Sequence, residues 1–302
     1  MKIGTRGSQL ARWQAEWVRA RLAEQGVGAE LVVIKTQGDA EIDRPLHELE
    51  GKGFFTKEIE EALLDGRIDV AVHSLKDLPT SLPEGLAIAA IPKRHDPREA
   101  LVRGSGRGTS LSDLPPGARI GTSSLRRIAQ VRFLRPDLQV VSLRGNVPTR
   151  VRKVESGDGL DAALLAIAGL ERLDLGHKAS RLDPLDIMPA PGQGALGIEI
   201  RADDRKTRTA LTPLHDPESA AAVTAERSLL AALGGGCQAP VAAWVGMRDT
   251  GNGKRLYGRV TDRDGAVQLT ASADVEESAS ERAGEAVARL LEAEGAASLL
   301  AR

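Results

Sequence analysis

Cations flanked by hydroxyl or amide donors recur at short spacing along this chain. Arg6 and Ser8 stand in Thr5-Arg6-Gly7-Ser8, and Ser74, Lys76 and Asp77 stand in Ala71-Val72-His73-Ser74-Leu75-Lys76-Asp77-Leu78-Pro79. Ser123, Ser124, Arg126 and Arg127 cluster in Gly121-Thr122-Ser123-Ser124-Leu125-Arg126-Arg127. Arg144 and Asn146 follow in Ser142-Leu143-Arg144-Gly145-Asn146, with Arg150 a turn further on. A guanidinium is a planar fork that binds both oxygens of a carboxylate at once. A lone arginine of this kind is ordinarily a surface ion-pair partner. Several on one rim suit an anionic ligand, and in particular one with many carboxylates. Asp77 is the odd member, a carboxylate among cations. It could neutralise a neighbouring cation, meet a cation in the ligand, or donate a proton to a leaving group.

Cys237 is the single cysteine of the chain and sits in Gly234-Gly235-Gly236-Cys237-Gln238-Ala239-Pro240. A buried structural cysteine is common. Three glycines before it do not suit a packed core, because each costs backbone entropy. They suit a turned or mobile loop that presents the thiol as a nucleophile or as an attachment point. Gly51-Lys52-Gly53-Phe54-Phe55-Thr56-Lys57 carries two of the three phenylalanines after a turn-rich stretch. It reads either as a connecting loop or as a lid whose Lys52 and Phe55 reach a ligand.

In open α/β sheets, ligands bind beyond the carboxyl ends of strands, where helix N-termini offer free N–H groups. The spacing of apolar residues puts these motifs there. Lys2–Thr5, Glu30–Thr36, Ile68–His73 and Leu86–Ile91 read as strands, with helices from Ser8 to about Gln25 and over Thr56–Leu64. This βαβ rhythm predicts a largely parallel sheet covered by helices. The pattern then restarts, because Ile120-Gly121-Thr122 repeats Ile3-Gly4-Thr5. Strands at Leu138–Leu143 and Asp161–Ala166 follow, with a helix at Pro148–Glu155 between them. Helices are expected at Asp203–Leu211 and Glu218–Leu233. Three strand-like stretches, Val241–Met247, Arg255–Thr261 and Val267–Ala273, then precede a helix at Ser278–Glu294. This predicts two similar α/β domains and a small α+β domain.

Composition narrows the function classes. Aromatic residues are 2% of the 302, which argues against a surface that stacks bases. Net charge is −1, so the whole molecule suggests no polyanion partner. Arg119 to Lys153 nevertheless holds eight arginines, one lysine and a single acid, Asp137, either a solvated basic face or part of an anion site. One cysteine excludes an internal disulfide and a cysteine-based zinc site, and the five histidines show no ligand spacing, so no metal is expected. No apolar run approaches the roughly 18 residues that span a bilayer. No leader segment is recognised at the start, and a cytoplasmic protein without a membrane partner is expected. Neither the Walker pattern nor Gly-x-Gly-x-x-Gly after a strand occurs, so a nucleotide is not the favoured anion.

Together with Pro191-Gly192-Gln193-Gly194-Ala195 and Gly235-Gly236-Cys237-Gln238, these motifs resemble the porphobilinogen deaminase (hydroxymethylbilane synthase) family, in family order across the whole chain. The resemblance implies two α/β domains like the halves of type II periplasmic binding proteins, plus a small C-terminal α+β domain. The expected division is 1–94 with 190–212, 95–189, and 213–302. It implies a monomeric transferase that condenses four porphobilinogens head to tail, releases ammonia at each step and frees hydroxymethylbilane with water. The implied cofactor is a dipyrromethane held by a thioether on Cys237, with Asp77 as the catalytic aspartate. Lys76, Ser124, Arg126, Arg127, Arg144 and Gln193 match cofactor contacts. Arg6, Ser8, Lys52, Phe55, Arg144, Arg150 and Arg172 match substrate contacts. The chain departs from some members at Glu48, where they carry a lysine. A non-catalytic anion-binding module is the competing reading, and nucleic-acid binding through Arg119–Lys153 is a third.

Overall fold

The computed structural model describes residues 1–36, 56–104, 110–157, 159–235, 239–248, 251 and 253–301. The strands are β1 (Lys2–Thr5), β2 (Glu30–Val33), β3 (Val70–Ser74), β4 (Leu86–Ala90), β5 (Glu99–Arg103), β6 (Arg119–Gly121) and β7 (Gln139–Val141). They continue as β8 (Ala162–Ala166), β9 (Ala179–Arg181), β10 (Leu196–Arg201), β11 (Val241–Met247), β12 (Lys254–Thr261) and β13 (Gln268–Val275). The helices are α1 (Gln9–Glu24), α2 (Lys57–Leu64), α3 (Leu125–Leu134), α4 (Val147–Glu155) and α5 (Ile167–Glu171). After these come α6 (Arg205–Leu211), α7 (Pro217–Ala232), α8 (Ser280–Ala293) and α9 (Ala296–Leu300).

Two compact units form, Met1–His95 with Gly194–Ala220, and Asp96–Gln193 with Ala221–Arg302. The first holds a five-stranded sheet in the order β2-β1-β3-β10-β4. The second holds a sheet in the order β7-β6-β8-β5-β9 and the three-stranded sheet β11-β12-β13. The two five-stranded orders match when β6, β7, β8 and β9 are aligned with β1, β2, β3 and β4, with β5 taking the place of β10. In each, the fourth strand, β10 or β5, is antiparallel to both its neighbours, and the other four strands run one way. The largely parallel sheet expected from the βαβ rhythm is thus mixed. The antiparallel strands are those the chain enters on crossing from one sheet to the other.

The restart of the sequence pattern has a physical counterpart. Gly4 and Gly121 occupy matching strand positions, and a Cβ there would fall 2.3 Å from Ile68 and 2.8 Å from Leu143. Only glycine allows that approach. Both faces of each large sheet are covered, which is why β3 and β8 read as apolar runs. Ile3, Val18, Leu22, Val70 and Ile198 fill one face of the first sheet, and Ile59, Leu63 and Ile68 fill the other. The second sheet packs Leu101, Ile120 and Leu164 on one side and Val102, Val154 and Leu165 on the other. The small sheet buries Leu256 and Val260 against Leu229 of α7 and Val287 and Leu291 of α8.

Candidate functional site

In the first unit, β1 and β3 are parallel neighbours, so their carboxyl ends share one edge. Arg6 and Ser8 follow β1 there, and Lys76 and Asp77 follow β3. Ser8 caps α1 by accepting a hydrogen bond from the Ala11 N–H at 3.3 Å. The Gln14 amide donates to the Ser74 hydroxyl at 2.8 Å and ties α1 to the end of β3. Leu75–Asp77 form a single 3₁₀ turn between two buried leucines, Leu75 and Leu78. The Leu75 N–H donates to the Ala195 carbonyl, and the Leu78 N–H closes the turn on Leu75. Lys76 is half-buried and Asp77 is exposed, on a turn held at both ends.

Behind this turn lies a buried cluster of titratable side chains. His73 Nε2 is 3.1 Å from a Glu199 carboxylate oxygen across the β3–β10 pair. A β-bulge between Ile198 and Glu199 accompanies that placement. Glu60 of α2 is also buried, and its pKa is raised, first by burial and then by the Glu199 charge. The Thr56 hydroxyl and the His73 charge oppose that rise, and Glu61 adds to it. The folded state therefore keeps a proton on Glu60 above the ordinary 4.5, where the unfolded chain has lost it. Stability falls as pH rises through that window. Glu60→Gln cannot titrate. Its thermal midpoint is expected to exceed the wild-type value at about pH 7 and to lose most of that advantage near pH 4. Equal gaps at both pH values would contradict the shift.

In the second unit, the carboxyl ends of β6, β7 and β8 share an edge with the start of β5, because Glu99 pairs with Ala166. Ser124, Arg126 and Arg127 follow β6, Arg144 and Arg150 follow β7, and Arg172 follows β8 and α5. Ser124 is the residue before α3, but its side chain makes no capping bond. The Ser123 hydroxyl contacts Ser142 and donates to the Leu143 carbonyl at 3.0 Å, joining the first two strand ends. Asn146 caps α4 by accepting from the Thr149 N–H at 3.0 Å. Gly145 has φ +110°, and a Cβ there would sit 2.9 Å from Thr149. Its carbonyl accepts from Arg150 Nε at 2.7 Å, which aims that guanidinium back over the turn.

Arg126 and Arg127 are both buried, and both bind Glu99. Arg126 Nη2 lies 2.6 Å from one carboxylate oxygen and Arg127 Nη2 lies 2.7 Å from the other. Arg126 also donates to the Met188 carbonyl at 2.5 Å, and Arg127 donates to the Leu164 carbonyl at 3.0 Å. Burial, opposed by Glu99, lowers the Arg126 pKa. One carboxylate thus fixes two cations of the rim. Glu99→Gln leaves two buried guanidiniums without a counterion, and we expect a loss of about 3–5 kcal/mol in urea unfolding. An unchanged midpoint would show that Glu99 does not hold them. Arg172 is buried as well, and desolvation brings its pKa down to about 10.

Gln193 is fully buried and donates from its side chain to the Pro97 carbonyl at 2.8 Å, two residues before Glu99. The Gly192 N–H before it donates to Glu226 of α7 at 2.7 Å, and the other Glu226 oxygen accepts from the Val245 N–H at 3.0 Å. Glu226 therefore ties the Pro191-Gly192-Gln193 turn to β11. Cys237, Lys52, Phe55 and the divergent Glu48 lie outside the described residues. Cys237 falls in the chain between α7 and β11, both anchored by Glu226. The candidate residues thus collect on two strand-end edges, with Arg6, Ser8, Lys76 and Asp77 on one and Ser124, Arg126, Arg127, Arg144, Arg150, Arg172 and Gln193 on the other. No local motif marks Glu99, Glu226 or Gln130, which hold these edges. The one available signal was an acid opening the apolar run Ala100-Leu101-Val102.

Sheet order and rim chemistry define the class, an α/β scaffold of two five-stranded mixed sheets with cation-rich strand ends and an appended three-stranded α+β part. Residues 1–209 match the family described as "Porphobilinogen deaminase, dipyromethane cofactor binding domain", and residues 220–293 match "Porphobilinogen deaminase, C-terminal domain". The porphobilinogen deaminase of Moorella thermoacetica is 50% identical over 303 residues, covering 99% of this chain and 95% of that one. That of Geobacter metallireducens is 49% identical over 306 residues, covering 100% and 94%. Among solved structures, a periplasmic substrate-binding protein of an ABC transporter from Coxiella burnetii matches with a TM-score of 0.44 and 15% identity, over 73% of this chain and 94% of that one. The chain belongs to the porphobilinogen deaminase family, whose members are transferases of tetrapyrrole biosynthesis that use a dipyrromethane cofactor.

Proposed function

We infer that the chain carries out its family's reaction with residues drawn from both strand-end edges. Four porphobilinogens are condensed head to tail, each with loss of ammonia, and water releases hydroxymethylbilane. The placement of Asp77 and Lys76 beside Arg6 and Ser8 on one strand-end edge is the observation that carries this reading. The dipyrromethane, held by a thioether to Cys237, supplies a permanent primer with a free pyrrole α-carbon.

The donor set fits such a group. Its rings bear acetate and propionate carboxylates, and the second unit offers Arg126, Arg127, Arg144 and Arg172 on one edge. Arg127 Nε is a buried donor without an acceptor among the described residues, and Arg172 is a desolvated cation that a carboxylate would stabilise. Arg126, Arg127, Arg144, Lys76, Ser124 and Gln193 are the residues assigned to hold the cofactor. Arg6, Ser8, Lys52, Phe55, Arg144, Arg150 and Arg172 are assigned to the incoming porphobilinogen and the growing chain. Asp77 offsets the positive charge that develops on the substrate pyrrole as the aminomethyl nitrogen departs, and assists its protonation. The physics is that of an oxyanion hole with the signs reversed.

Three functional segments follow, 1–94 with 190–212, 95–189, and 213–302, the last carrying the anchor. No helix among the described residues is long and apolar enough to cross a membrane. The reading is of a cytoplasmic monomer, which sedimentation of the purified chain tests. The activity is tested by incubating the purified protein with porphobilinogen. Ammonia and hydroxymethylbilane in a four-to-one ratio are expected. Saturable binding without ammonia release would instead support the non-catalytic module.

A further inference from the structure

The small C-terminal sheet meets the arginine edge through one buried polar chain that the family reaction leaves unexplained. Arg259 of β12 is 7% exposed. Its Nη1 donates to the Gln130 side-chain oxygen at 2.9 Å and to the Asp186 carbonyl at 3.0 Å, and its Nη2 donates to the Leu185 carbonyl at 2.7 Å. Its Nε reaches the Thr270 hydroxyl at 3.4 Å. Every one of these acceptors is neutral. Burial lowers the Arg259 pKa, with only the nearby Asp186 charge opposing. A buried cation without a bonded carboxylate is an expensive way to dock a sheet, and an apolar side chain of similar size would serve docking alone at least as well.

Gln130 explains what the cation gains. Its side-chain oxygen accepts from both Arg259 and the Met188 N–H, the latter at 2.8 Å. Its side-chain nitrogen donates to the Met188 carbonyl at 3.0 Å and to the Arg126 carbonyl at 3.3 Å. Two obligate donors face the oxygen and two obligate acceptors face the nitrogen, so the amide has one orientation. That orientation holds Met188 on both its backbone groups. The Met188 carbonyl in turn receives Arg126 Nη1. The chain Arg259, Gln130, Met188, Arg126 is unbroken.

We propose that Arg259 is a positioning residue that acts through Gln130 and Met188 to aim the Arg126 guanidinium, so that seating of the cysteine-bearing domain sets one arm of the carboxylate edge. This rests on the assignment of Arg126 to cofactor carboxylates. Arg259→Leu is the principal test, made on chain produced without porphobilinogen. After porphobilinogen is added, intact mass follows the gain of one dipyrromethane, and thermal midpoint reports folding. Arg259→Leu is expected to fold and to prime about tenfold more slowly, as one misdirected charge-assisted hydrogen bond would do, while KM for porphobilinogen in the primed protein changes much less. Arg259→Lys keeps the charge and one donor towards Gln130. It is expected to recover part of the priming rate, and it carries the test if the leucine variant does not fold. Wild-type priming in a folded variant would overturn the coupling and leave the functional reading standing. A wild-type chain that gains no mass would overturn both.

Discussion

Cys237→Ser is expected to give a protein that stays at its sequence mass after incubation with porphobilinogen and has no measurable turnover. The chain has one cysteine, so no second thiol can take over the attachment. A thiolate is a strong nucleophile near neutral pH, whereas an unassisted serine hydroxyl is a weak one. The sequence around the residue places no histidine as a base beside it, so the serine would lack activation. Its neighbours in the chain are held independently of the thiol. The Gly235 N–H donates to the Leu230 carbonyl at the end of α7, and Glu226 fixes the Val245 N–H of β11. The fold is therefore expected to survive, with a thermal midpoint close to that of the unprimed wild type. Mass spectrometry of the denatured protein separates a covalent anchor from tight binding. A serine variant that carries the added mass, or makes hydroxymethylbilane without it, would refute the anchor.

Much of this arrangement is legible in the residues, and what is not has a physical reason. The strand-end motifs could be placed because β1, β3, β6 and β8 are mostly buried and apolar. Ser8 and Asn146 are caps whose spacing shows in sequence. The restart at Ile120-Gly121-Thr122 reflects a real constraint, since both glycines lie against a large side chain. The two central antiparallel strands, β5 and β10, went unread. Each begins or ends on charge, and β10 carries Gly197 and Glu199 within it, so period and propensity both speak against a buried strand. Tertiary context overrides them. Glu199 is paired with His73, and Gly197 lies where a Cβ would sit 2.8 Å from Leu75. By residue type and spacing Arg126 and Arg127 are two more rim cations. Burial and the shared Glu99 make them a fixed ion triad, and the acid responsible lies 27 residues away from Arg126. Gln130 and Arg259 are 129 residues apart, and no local pattern announces such a pair.

Asp77→Asn is expected to keep the fold and the cofactor and to lose turnover by a factor on the order of 10²–10³, the scale of one preplaced electrostatic group. The structure makes this a clean substitution. The turn that carries Asp77 is fixed by Leu75, whose N–H bonds the Ala195 carbonyl, and by Leu78, both fully packed. Residue 77 itself is exposed, so an amide of the same shape disturbs no core contact. What changes is charge. A carboxylate favours the cation that forms as ammonia leaves, while an amide offers only a dipole and cannot take part in proton transfer. Attachment of the first rings is read separately from elongation, by comparing intact mass with the rate of ammonia release. Asp77→Glu, which keeps the charge but moves it along a longer stem, should recover part of the rate. Ser8→Ala, on the same edge, removes the α1 cap together with a porphobilinogen contact, and should cost about 1 kcal/mol of stability and raise KM while leaving kcat far less affected. If asparagine at this position gave near-normal kcat in a folded, fully primed protein, the charge on Asp77 would not be what drives the loss of ammonia.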